Sequence, residues 1–132
     1  MKKIVLFILI LAGCTTSSHA ATYQDSAGRF TLDYPPDWAI TESTTEVQFW
    51  NTLQEDPTIK MVLFEAVDIN FTAEDILNGV PIMIRRGQFM SDFQIYYYDL
   101  GDEIISFAAY YESSTSGHLD QVTEIQQSFR TT

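Results

Sequence analysis

Few residues in this sequence are of a type that does chemistry, and most of those stand alone. The two histidines, His19 and His118, have no second histidine at ligand spacing, which argues against a zinc centre or histidine-based catalysis. Ser113, Ser114 and Ser116 lie near His118, but no Gly-x-Ser-x-Gly elbow accompanies them, and serines are ordinary in a polar turn. No glycine-rich phosphate loop is present, and Arg85-Arg86 is the one basic pair of the domain. The carboxylates offer more. Asp99, Asp102 and Glu103 gather about Gly101, and such a cluster can hold a divalent cation weakly. It lacks the twelve-residue spacing of a calcium loop, so a solvated turn is the simpler reading. Glu55-Asp56 forms another pair, and Glu74-Asp75 suits the positive end of a helix. The expectation is a protein without catalytic residues, resident metal or cofactor.

Aromatic residues are the better candidates for recognition. Trp50 stands beside Phe49, and Tyr96-Tyr97-Tyr98 sits in a β-prone run. Strand alternation puts Tyr96 and Tyr98 on one face and Tyr97 on the other. Trp50 and Tyr97 are therefore the candidate binding surface, unless helices cover both faces.

The single cysteine, Cys14, lies outside the domain and follows the run MKKIVLFILILAG. Lys2 and Lys3 make a positive start, and Ile4 to Ala12 make an apolar stretch of nine residues. That is too short to span a bilayer of ~30 Å but fits the core of a signal peptide. Leu11-Ala12-Gly13-Cys14 resembles the cleavage box of bacterial lipoproteins, in which the cysteine is acylated and becomes the new N-terminus. Residues 1–13 are thus read as a leader, residues 14–21 as a lipidated tether, and residues 22–132 as one domain. The alternative is plain secretion, since Ser18-His19-Ala20 is also an acceptable cleavage site. Either way the domain is expected outside the cytoplasm, facing away from it on the cell envelope if it is anchored. With one cysteine no disulfide can form within the chain, so the domain must rest on its core.

Composition supports such a core. The chain has 132 residues, 45% of them hydrophobic and 14% aromatic, with nine Phe, seven Tyr and two Trp. Its formal net charge is −11; without Lys2 and Lys3 the mature chain carries −13. That surface repels nucleic acid and anionic lipid headgroups. Nucleic acid is excluded as a partner, leaving the membrane reached through the lipid and a protein of the envelope. Asn70-Phe71-Thr72 is a glycosylation sequon, relevant only in a host that glycosylates.

The elements that position these residues follow from periodicity. Arg29 to Tyr34 and Glu46 to Trp50 alternate as half-buried strands, and Pro35-Pro36 stops the first. Ile59 to Ile69 reads as a long strand, bulged or covered on both faces. Thr72 to Asp75 reads as a helix start, with Ile76, Leu77, Val80 and Ile84 at helical spacing and Gly79 and Pro81 interrupting. Phe93 to Tyr98 and Ile104 to Tyr111 read as a hairpin turning at Asp99 to Asp102. Leu119, Val122, Ile125 and Phe129 stripe a terminal helix. This order predicts an α+β layered domain on an antiparallel sheet.

Two runs carry a resemblance. Gly28-Arg29-Phe30-Thr31-Leu32-Asp33-Tyr34-Pro35-Pro36-Asp37-Trp38 and Ile125-Gln126-Gln127-Ser128-Phe129 together resemble the PsbP-like family, with Ala108 to Ser114 similar to its last strand. The resemblance implies a sheet of about five to seven antiparallel strands with helices packed on both faces, an α/β/α sandwich. It also implies a non-catalytic role in binding or assembly. A carrier of a small ligand or divalent metal is the alternative. The motif residues themselves read as packing: Trp38 folds back as a plug under the sheet, and Phe129 caps the last helix stripe.

Overall fold

The computed structural model describes residues 20–51, 58–112 and 117–132. The leader, Cys14, His19, the Glu55-Asp56 pair and the three turn serines lie outside the described residues. The strands are β1 (Ala21–Gln24), β2 (Phe30–Tyr34), β3 (Ala39–Glu42), β4 (Glu46–Trp50), β5 (Ile59–Ala66), β6 (Asp75–Leu77), β7 (Val80–Phe89), β8 (Ser91–Asp99) and β9 (Ile104–Tyr111). They are followed by a helix, α1 (His118–Gln127), and a last strand, β10 (Arg130–Thr131).

Seven strands form one antiparallel sheet in the order β3-β4-β5-β9-β8-β7-β6. Three form a second, in the order β10-β2-β1. The expected sandwich with helices on both faces is therefore wrong. The protein is mainly β, with one helix among the described residues. That helix and the small sheet pack on the same face of the large sheet.

The error has a definite source in the segment read as a helix from Thr72 to Gly87. Asn78 and Gly79 both have positive φ, 51° and 82°. Two successive left-handed residues make the tight turn whose twist matches a β-hairpin, and they break a helix. The flanking residues pair as Leu77 with Val80, Ile76 with Pro81 and Asp75 with Ile82. Glu74, expected at a helix N-terminus, instead accepts a hydrogen bond from the amide of Ile84 at 3.0 Å and pairs with Arg85 at 2.7 Å. Its carboxyl is held below the usual range, first by that amide and then by Arg85.

Elsewhere the pattern of side chains and the structure agree. Glu46–Trp50 and Ile104–Tyr111 are strands with the expected bounds. Ile59, Met61 and Leu63 of β5 are buried while Lys60, Val62 and Phe64 face the other way. The alternation there is regular, and the expected bulge is not needed. Val122, Ile125 and Phe129 are buried as predicted, but Leu119 is exposed.

The core lies between the two sheets and is largely aromatic. Phe129 stacks on Tyr98 with ring centroids 3.7 Å apart and on Phe30 at 4.7 Å. Phe49 meets Tyr23 edge-on at 5.8 Å, Tyr34 at 5.4 Å and Phe107 at 5.6 Å. Trp38 is buried in the same cluster. Full burial of such side chains stabilises by roughly 1.5–3 kcal/mol each before entropy is subtracted. The helix is bolted down by polar groups as well. The buried Gln126 donates to the carbonyls of Gln94 and Phe107, both at 2.9 Å, and accepts from the Gln94 amide at 2.8 Å. Tyr98 donates to the Gln126 carbonyl at 2.7 Å near the helix end, which satisfies an otherwise orphaned acceptor.

Candidate binding surface

Cross-strand register decides which side chains share a face, because neighbours along a strand point to opposite sides. On the core side lie Phe49, Met61, Ala109 and Gln94 in one row, and Val47, Leu63, Phe107, Tyr96 and Ile84 in the next. The reverse face carries three rows of its own. The first runs Trp50, Lys60, Tyr110, Phe93, Gly87. The second runs Gln48, Val62, Ala108, Ile95, Arg85, and the third Glu46, Phe64, Ser106, Tyr97, Met83.

No helix or strand among the described residues packs on this reverse face. The connection between β5 and β6 reaches it at one corner, where the Thr72 amide lies 3.5 Å from the Met83 sulfur. What remains open is apolar and aromatic at its centre. Tyr110 is 40% exposed and Phe64 38%, while Trp50, Val62, Phe93, Ile95 and Tyr97 are half-buried by one another. Ala108 and Ser106 are small and sit beneath these larger neighbours. Charge is confined to the margins and to Lys60, whose ammonium lies 4.8 Å from the centre of the Trp50 ring.

Packing within the face is close. Gly87 lies under Phe93: a methyl group built at Gly87 would come within 2.5 Å of Phe93 Cζ. The ring therefore lies flat across the glycine and keeps that part of the sheet smooth. Ser106 contributes the opposite feature. Its hydroxyl is buried between Phe64 and Tyr97 with no hydrogen-bond partner among the described residues.

The sequence nominated Trp50 and Tyr97, and the structure brings both onto this face. Sequence reasoning missed Phe64, Phe93 and Tyr110. The hairpin of β8 with β9 was legible, but the strands that flank β5 were not.

The carboxylates nominated for a cation are engaged separately. Asp99 accepts from the Gly101 amide at 2.8 Å and closes the β8–β9 turn. Glu103 pairs with Arg29, which also holds Asp25 at 2.6 Å. Asp102 is exposed. Among the described residues no three His, Cys, Asp or Glu side chains are placed to share a metal ion. Arg29 thus ties the β1–β2 turn to the β8–β9 turn. Its hydrogen bonds lower the Asp25 carboxyl and its own guanidinium is pushed up, chiefly by Asp25. His118 bonds its Nδ1 to the Glu112 carbonyl at 3.2 Å and its Nε2 lies 3.4 Å from Thr58 Oγ1. It is a structural link at the start of α1. Among the described residues no helix is long and apolar enough to cross a membrane.

No protein-family model and no curated protein sequence matches the chain. The PsbP-like resemblance therefore rests on its two sequence motifs. Among solved structures the chain is similar to a protein from Bacteroides thetaiotaomicron VPI-5482, with a TM-score of 0.52 and 12% identity. The match covers 84% of this chain and 48% of that one, so the chain spans about half the length of that structure. At this identity the likeness is one of fold.

Proposed function

We propose that this chain is a non-catalytic binding module, tethered to a membrane through a lipid on Cys14, whose open sheet face docks an envelope protein. One observation carries the reading. Among the described residues no helix or strand covers one face of the seven-stranded sheet, and that face holds Trp50, Phe64, Phe93, Tyr97 and Tyr110. Aromatic residues with apolar neighbours at the centre and charge at the rim are the usual make-up of a protein-binding patch. The negative charge elsewhere favours a partner with a basic rim.

Photo-cross-linking tests this. A photoreactive residue at Tyr110, in cells or isolated membranes, is expected to capture one discrete protein band. The same group at Asp120, exposed on α1 on the opposite side of the large sheet, is expected to capture much less. Trp50→Ala combined with Phe64→Ser should abolish the Tyr110 product while leaving the melting temperature within a few degrees. No protein product from Tyr110, Phe93 or Tyr97, in membranes where the chain is abundant, rejects the reading.

A further inference from the structure

We propose that the apex of the β7–β8 hairpin, Phe89 and Met90, enters the interfacial layer of the lipid bilayer that holds the chain. The inference rests on the reading of Cys14 as a lipid-bearing residue. Phe89 is 77% exposed and Met90 96%, the two most exposed large hydrophobic side chains among the described residues. They are adjacent and occupy the tip of the longest hairpin. Met90 also holds a φ of 66°, a left-handed conformation that costs a side-chain-bearing residue roughly 1–2 kcal/mol and that glycine or asparagine would adopt freely. Packing within the protein gives no return for that cost, because the side chain touches almost nothing.

Register indicates where the tip points. Ala21 pairs with Tyr34 at the start of β1, and Ala20 lines one cavity with Tyr34, Pro35 and Pro36. Directly after Trp38, whose amide donates back to Pro35, the sheet begins with a continuous row of partners: Ala39, Trp50, Lys60, Tyr110, Phe93, Gly87. Phe89 and Met90 extend beyond Gly87 at that same end. Ala21 is thus joined, through Tyr34 and the four residues before Ala39, to the end of the large sheet from which the hairpin tip projects. The six residues from Thr15 to Ala20 reach about 20 Å when extended, so an acylated Cys14 holds this end near the lipid.

The chemistry of the tip suits lipid better than protein. Residues 87–91 carry no charge in a chain of net −11. Arg85 and Arg86 nearby are engaged by Glu74 and Gln94, so entry is through apolar contact. Two side chains fall far short of the ~800 Å² per partner of an ordinary protein interface, whereas interfacial segments need sink only ~5–10 Å. The acidic surface repels anionic headgroups, so the bilayer that fits is zwitterionic.

The test uses the full lipidated chain carrying Met90→Cys, labelled with an environment-sensitive dye and reconstituted in phosphatidylcholine vesicles. Acylated Cys14 leaves the new thiol as the one labelled. The dye at position 90 is expected to shift to the blue, brighten severalfold and be quenched by bilayer-embedded quenchers. A dye at Asp102→Cys, at the far end, should behave as in water. Intact mass reports the acyl group independently. Acylated chain with a water-like dye at position 90 overturns the hairpin proposal and leaves the tether standing. Chain without acyl mass overturns both. A blue shift seen only when membrane proteins are added assigns the tip to a protein partner and overturns lipid entry.

Discussion

Arg29 shows how single side chains join distant parts of the chain. It holds Asp25 four residues away and Glu103 seventy-four residues away, and lies 5.7 Å from the centre of the Phe30 ring. The Asp25 carboxyl is held below its ordinary 3.8 by hydrogen bonds from Arg29. A carboxyl lowered by folding stabilises the protein above its unfolded value, and that contribution disappears as pH falls through the lower folded value. Stability should therefore drop below about pH 4, and Asp25→Asn should flatten that acid limb in denaturant titrations across pH. On the alkaline side, burial and Glu42 push the Tyr23 phenol up to about 12. A phenol raised by folding loses its contribution as pH climbs, here from 10 towards 12, and Tyr98, raised by its own burial, acts in the same direction. Ser106 gives a prediction of the opposite sign. Its buried hydroxyl lacks a partner among the described residues, so Ser106→Ala should leave stability unchanged or raise it by about 1 kcal/mol in urea melts. A loss of more than that would mean the hydroxyl is satisfied.

At the scale of elements, the Asn78-Gly79 turn decides the fold class. Gly79 has a φ of 82° and a β-branched residue there is strained, so Gly79→Val should cost about 2 kcal/mol in chemical denaturation. Loss should be smaller for Gly79→Asn, which tolerates the conformation. The dipeptide is also the lesson in reading this segment. Ile76, Leu77, Val80 and Ile84 do fall at helical spacing, but Val80, Ile82 and Ile84 alternate equally well, and Asn-Gly between β-prone residues favours a hairpin. Strand bounds were legible where apolar and polar residues alternated, as at Glu46–Trp50, and where β-prone residues ran together, as at Ile104–Tyr111. The two marginal strands were not. β1 has one buried residue, Tyr23, and β10 is two residues long, so neither carries a pattern of its own. Both exist because β2 offers two edges for them to pair with. The binding face was half legible for a related reason. Trp50 and Tyr97 show their orientation locally, but their shared face depends on β9 standing between β5 and β8.

Across the whole molecule, stability depends on contacts between residues far apart in sequence. Phe129 stacks on Phe30 and Tyr98, and Arg130 reaches Asp33 at 3.1 Å. Losing a buried Phe costs about 3–5 kcal/mol, a large share of the 5–15 kcal/mol that holds an ordinary domain. A chain ended after Ser128 should show no cooperative melt by calorimetry, whereas ending it after Thr131 should cost little. The same arrangement has a temporal consequence. β2 lies between the first strand and the last, so the small sheet cannot be completed, nor the aromatic stack closed, until the final residues have been synthesised. Closure of the small sheet waits for Arg130 and Thr131 to pair alongside Thr31 and Phe30.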